Sequence, residues 1–140
     1  MAVPSIQHAL DLHRQGQLDQ AEKLYVRILE QEPDHFAALQ FLGVLRGQQG
    51  RHAEALRLIA AAVRVRPQDF GALANYGQML MAAGRIEEAL GAFDRAIAIR
   101  PDFFEALYNK ATALIQLNRF AEAVSGYDRA LTVRPKCDTR

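Results

Sequence analysis

The chain has 140 residues, half of them apolar, and its 17 Lys and Arg against 16 Asp and Glu leave a formal charge of +1. So small a net charge removes general attraction to nucleic acid or an acidic membrane, and the length suffices for one core. The single cysteine, Cys137, closes no internal disulfide, and the longest apolar run, Leu58–Val63, is too short to span a bilayer.

At the N-terminus, Met-Ala-Val-Pro-Ser lacks the basic segment and apolar stretch of a signal peptide, so the expected location is cytoplasmic. From there the same punctuation returns at a fixed stride. Gly16, Gly50, Gly84 and Asn118 are 34 residues apart, and Ala21, Ala55, Ala89 and Ala123 keep that interval, as do Pro33, Pro67, Pro101 and Pro135. A period of this size marks an array of helical hairpins. The repeats fall at about 2–35, 36–69, 70–103 and 104–137.

The third is the clearest. Over Phe70–Ala82, the residues Leu73, Tyr76, Gly77 and Leu80 recur at spacings of three and four, which places them on one helical face. Gly84 then ends the helix, because glycine tolerates the left-handed conformation such ends favour. A second helix, roughly Ile86–Ile99, buries Ala89, Leu90, Phe93, Ala96 and Ile97. Pro101 stops it and biases Arg100 away from helical geometry. In the fourth repeat Asn118 takes the place of the glycine, which predicts a positive φ there. Gly43 and Gly77 sit inside helices, where glycine costs about 0.8–1.0 kcal/mol relative to alanine. They predict close approach of the paired helix, with Ala9 and Ala111 in the same slot.

These offsets resemble the tetratricopeptide repeat. The third repeat carries them as Leu73, Tyr76-Gly77, Leu80, Ala89, Phe93, Ala96 and Pro101. The second has Leu39, Leu42-Gly43, Ala55, Ile59, Ala62 and Pro67, and the fourth Leu107, Ala111, Leu114, Ala123, Tyr127, Ala130 and Pro135. The first is looser: Ala9, Leu12, Ala21, Tyr25 and Pro33 fit, while Ser5, His8 and Ile28 depart from the pattern. The resemblance implies an all-α fold, a right-handed superhelical α-solenoid of four helix-turn-helix hairpins, forming a single domain over 1–140. Within it, HALDLHRQGQLDQAEKLYVRILEQEPDH and FLGVLRGQQGRHAEALRLIAAAV resemble the arms that precede bacterial O-linked GlcNAc transferase-like domains.

Charge divides unevenly between the two helices of each repeat. The second helices hold most of it, and Arg66, Arg100 and Arg134 each end one, where a cation complements the helix dipole. Among the first helices, Phe70–Ala83 has no charged residue, Phe36–Gln49 only Arg46, and Phe104–Leu117 only Glu105 and Lys110. Arg46 and Lys110 stand at apolar positions and are expected to extend their charged ends to water past apolar stems.

In the tetratricopeptide family the first helices line a concave groove that receives an extended peptide. The resemblance then places in the groove Gln40, Phe41, Val44 and Gln48 of the second repeat, and Ala74, Asn75, Gln78, Met81 and Ala82 of the third. The fourth contributes Glu105, Tyr108, Asn109, Thr112, Ile115 and Gln116. The alternative is that these small and neutral residues only let the superhelix close tightly. Asn75 and Asn109 share the repeat position at which the transferase arms carry an asparagine ladder for the peptide backbone. An amide offers a donor and an acceptor to a strand, but Gln7 and Phe41 interrupt the series, and local helix–helix bonding is the other reading. At the first lysine position of the family's carboxylate clamp stand Ile6, Gln40, Ala74 and Tyr108, so that motif is not met.

Catalytic and metal chemistry find no constellation. His8, His13, His35 and His52 form no ligand set, since His8 and His13 lie five apart on different helical faces and no cysteine pair accompanies them; Ser5 and Ser125 have no nucleophile motif, and the glycines form no phosphate loop. No cofactor, metal or nucleic acid is expected. The expected function is a non-catalytic scaffold for a peptide or partner protein. Two alternatives stand beside it: the substrate-recruiting N-terminal arm of a larger enzyme, and self-association through an uncapped C-terminal repeat or the uncharged groove.

Overall fold

The computed structural model describes residues 4–133. Among them are eight α-helices: α1 Ile6–Arg14, α2 Leu18–Gln31, α3 Phe36–Gln48, α4 His52–Val65, α5 Phe70–Ala82, α6 Ile86–Ile99, α7 Phe104–Gln116 and α8 Phe120–Val133. Consecutive helices pair as hairpins, and the chain forms two compact units, Met1–Pro67 and Gln68–Arg140. Pro135, Cys137 and Arg134 lie outside the described residues. No described helix is long and apolar enough to cross a membrane.

Local chemistry sets the helix ends. Gly84 adopts φ +80° and Asn118 φ +61°, the positive value its position requires. The reversed chain satisfies the last carbonyls, since Arg119 N–H donates to Leu114 C=O at 2.8 Å and Asn118 N–H to Ile115 C=O at 2.9 Å. The second helices stop as Pro101 demands, with Arg100 extended at φ −134°, ψ 92°. Three first helices have side-chain N-caps: Ser5 accepts from His8 N–H, His35 Nδ1 from Ala38 N–H, and Asp69 Oδ1 from Ala72 N–H. Ser5, which departs from the repeat pattern, is thus the start signal of α1.

In the first unit the core gathers Ala9, Ala21, Tyr25, Ile28, Ala38, Leu42 and Leu45. Ile28 fills a slot that alanine holds in the other repeats, and it is completely buried. In the second unit Leu90, Ala113, Leu114 and Ala123 form a cluster with Met81, Ile86 and Leu117 against it. The hairpins close most tightly at their glycines. A Cβ on Gly43 would lie 2.6 Å from Ile59 Cδ1, and one on Gly77 2.4 Å from Phe93 Cε1.

The arginines that end α4 and α6 have a second role. Arg66 lies over the Phe36 ring at 4.4 Å, and Arg100 over Phe70 at 5.0 Å, so each cation joins the end of one helix to the start of its hairpin partner. The Phe70 and Phe103 rings meet edge to face at 4.9 Å beneath Arg100.

Candidate peptide-binding faces

In the first unit, α1 and α3 lie side by side and leave a hollow of about 460 Å³ lined by Leu10, His13, Arg14, Phe41, Val44 and Gln48. Leu10, Phe41 and Val44 supply its apolar lining, and His13 and Gln48 are tied together above it. His13 Nε2 donates to Gln48 Oε1 at 2.9 Å, because a carboxamide oxygen can only accept. Nδ1 is then the acceptor for the Tyr25 hydroxyl, also at 2.9 Å. The Tyr25 ring is completely buried and meets the imidazole edge to face. Arg14 pairs with Asp11, which leaves this face close to neutral. One turn along α3 from Val44, Gln40 is half-buried, and its Oε1 is buried with no hydrogen-bond partner.

Burial pushes the Tyr25 hydroxyl up to about 12. The folded state favours the neutral phenol, so this contribution is complete below pH 10 and is lost as the pH rises from 10 towards 12. Tyr25→Phe is expected to cost about 1–2 kcal/mol at pH 8 through the lost hydrogen bond. It should also flatten the alkaline fall in stability. Urea unfolding of both proteins at pH 8 and pH 11 checks this, and parallel pH curves would refute it.

Arg46 corrects the expectation from sequence. Its side chain does not reach water: the residue is 9% exposed, with Nη1 3.0 Å from Glu22 of α2 and Nε 3.0 Å from Glu54 of α4. The stem occupies the slot that Leu80 and Leu114 fill in the second unit. Glu22 occupies the slot of Leu90, so an ion pair in one unit stands where two clustered leucines stand in the other. The hydrogen bond from Arg46 holds the Glu22 carboxyl below the usual carboxylate range. Lys110 is likewise engaged, 2.7 Å from Asp94. Both cations are thus paired within the fold, Arg46 buried and Lys110 at the surface.

In the second unit, α5 and α7 form the corresponding face. Gln78, Glu105 and Gln116 are exposed, while Asn75, Met81 and Asn109 are half-buried. Among the described residues, the side-chain amides of Asn75 and Asn109 have no hydrogen-bond partner. Met81 packs towards the Leu90–Leu114 cluster. Tyr108 is 48% exposed, stacked on Phe104 at 5.7 Å and edge-on to Tyr127 at 5.2 Å. Thr112 Oγ1 donates to the Tyr108 carbonyl at 3.2 Å and accepts from the Tyr127 hydroxyl at 2.8 Å. Its hydroxyl therefore ties down Tyr127, against whose ring Tyr108 rests.

Leu10, His13 and Arg14 were absent from the groove positions read from sequence. The signal was present in the period: Leu10 is 34 residues before Val44, and Arg14 is 34 before Gln48.

These paired helices define an array of helical hairpins of the kind that serves as a protein-interaction scaffold fold. The chain belongs to the tetratricopeptide repeat family, whose models match residues 1–68, 42–102 and 80–140 and together cover every residue. No curated protein matches it. Among solved structures, the crystal structure of MamA protein aligns with a TM-score of 0.83 at 20% identity, over 91% of this chain and 69% of that one. An RS-1 MamA double mutant gives 0.85 at 18% identity, over 96% and 76%. A mutant of the Thermobaculum terrenum O-GlcNAc transferase gives 0.74 at 31% identity, covering 78% of this chain. The MamA likenesses show the fold alone, and the present chain spans 21% of the transferase's length.

Proposed function

We propose that the chain is a non-catalytic scaffold whose first-helix faces, each within its own unit, hold extended peptide segments of a partner protein. One observation carries this reading: Gln40 Oε1 is buried without a hydrogen-bond partner, and among the described residues no hydrogen bond engages the side-chain amides of Asn75 and Asn109. A strand offers N–H and C=O groups in alternation, and an amide can answer both. Beside Gln40 the hollow over Leu10, Phe41 and Val44 has room for an apolar side chain. In the second unit Tyr108 supplies a fixed aromatic surface next to Asn109. The faces are close to neutral, which suits an uncharged or mixed segment.

Each amide bond to a peptide contributes about 0.5–1.5 kcal/mol. Binding to a peptide array by a variant with Asn75, Asn109 and Tyr108 all changed to alanine should therefore weaken by roughly tenfold to a hundredfold. Unaltered binding would place the site elsewhere.

A second reading is favoured by the 31% identity to the O-GlcNAc transferase over 78% of this chain. In it the repeats are the substrate-recruiting arm of a larger O-linked glycosyltransferase-like enzyme. The reading frame after Arg140 decides this, and a stop codon there would sink it.

A further inference from the structure

Two of the four histidines hold the ends of α3, and each does so with an Nδ1 that accepts a hydrogen bond. At the start, His35 Nδ1 takes the Ala38 N–H at 3.2 Å and so caps the helix. At the other end, His13 Nε2 donates to Gln48, the last residue of α3, while its Nδ1 accepts from the Tyr25 hydroxyl of α2. One ring thus joins three helices. An acceptor nitrogen requires a neutral imidazole, because the charged ring carries a proton on both nitrogens. His8 and His52 differ: both are exposed, and among the described residues neither side chain makes a hydrogen bond.

Charging either ring undoes its tie. A protonated His35 turns a donor towards the Ala38 N–H and sets a cation at a helix N-terminus, which the helix dipole opposes. A protonated His13 sets Nδ1–H against the Tyr25 O–H. Tyr25 is completely buried, and among the described residues His13 is the one partner of its hydroxyl. Either the hydroxyl proton is stranded, or the ring moves off and the tie to Gln48 goes with it. Around His13, α1 supplies Asp11 and Arg14, which pair with each other, and α2 supplies Tyr25. Arg46, the one charged residue of α3, is taken up by Glu22 and Glu54. Around His35, Glu32 and Asp34 share its turn, and Arg66 at the end of α4 lines the same hollow. Among the described residues no carboxylate pairs with either imidazole to reward the charge.

We propose that the first unit carries a pH-sensitive clamp: acidification through the range in which imidazoles charge unfastens both ends of α3 and loosens the hollow over Leu10, Phe41 and Val44. The hydrogen bonds are made above that range and lost below it, so the hollow is firm at neutral pH and slack in acid. The clamp stands on these bonds alone; its consequence, acid release of a bound peptide, rests on the peptide reading.

Amide hydrogen exchange of the 140-residue chain, read by mass spectrometry and corrected for the intrinsic rate, tests this at pH 8 and pH 5.5. Both lie above the range in which Glu22 loses its own contribution. Exchange across α3 should be about tenfold faster at pH 5.5, with α7 unchanged. In His13→Gln/His35→Asp the difference should disappear, since glutamine accepts and donates without titrating and aspartate copies the Asp69 cap of α5. His8 and His52 remain in that variant, so a general effect of histidine charge would persist there. If circular dichroism shows the double variant unfolded, His35→Asp alone carries the test through the first turn of α3. Equal α3 exchange at the two pH values in the parent, or the same acceleration in the variant, would overturn the proposal. Peptides held on an array at pH 8 should be shed at pH 5.5, and kept better by His35→Asp. Shedding that His35→Asp does not reduce would overturn the clamp as its cause. An array that holds nothing at pH 8 counts against the peptide reading, and the exchange result still decides the clamp.

Discussion

Gly77→Ala is expected to destabilise the chain by about 2–3 kcal/mol, although alanine is by nature the better helix former. The added Cβ would lie 2.4, 2.7 and 2.8 Å from three atoms of the Phe93 ring. Phe93 is completely buried and its ring is planar and stiff, so the two helices must part or the ring must leave its rotamer. The graded series makes the argument testable by urea unfolding. Gly43→Ala meets Ile59 Cδ1 and Cγ1 at 2.6 and 2.7 Å, and the first of these ends a flexible chain. Its cost should be smaller, about 1–2 kcal/mol. Gly91→Ala, on the exposed side of α6 with nothing within 4 Å, should stabilise by about 0.5–1 kcal/mol. Shrinking the ring in Gly77→Ala/Phe93→Leu should recover part of the loss relative to the summed single changes. A Gly77→Ala protein as stable as the parent would show that the hairpin is not packed as described.

Arg46→Ala should cost about 3 kcal/mol at pH 7, because it leaves two carboxylates facing an empty leucine slot. Glu22 and Glu54 are 28% and 34% exposed, and turning towards water limits the loss. Arg46→Met fills the slot without the charge, and it should cost clearly less than alanine. The pH dependence separates charge from packing. Glu22 has a lowered pKa in the folded state, caused first by the Arg46 hydrogen bond. That contribution is present above its unfolded value near 4.5 and fades as the pH falls through the lower folded value. The gap between the parent and Arg46→Met should narrow on acidification, followed by unfolding at pH 7 and pH 3. A constant gap would mean that Arg46 acts by packing alone.

Helix bounds were legible in the sequence because each is set within a few residues. The spacing of Leu73, Gly77 and Leu80, the stop at Gly84 and the bar at Pro101 fixed α5 and α6 with the bounds observed. Asn118 announced its positive φ in the same local way. Arg46 was misread because the destination of a long side chain depends on distant residues. Its partner Glu22 lies 24 positions away on another helix, and neither residue alone distinguishes a solvated head from a bridging one. The first-helix faces fell between these cases. The repeat period located them, but not which amides were already engaged. Gln48 turned out to be held by His13, 35 residues earlier, whereas no hydrogen bond engages the Asn109 amide among the described residues.

The exchange of a leucine pair for Glu22 and Arg46 bears on how such an array can change over generations. Duplication copies a hairpin whole, and hairpins that share one complementary surface can be shuffled freely. Once one junction carries an acid and a base, its two halves favour each other: Glu22 set against a leucine loses its partner, while Arg46 keeps only Glu54 of its own hairpin. That junction has acquired an address. Recombinants that respect it inherit the pairing, and those that break it lose an ion pair at the seam between α2 and α3.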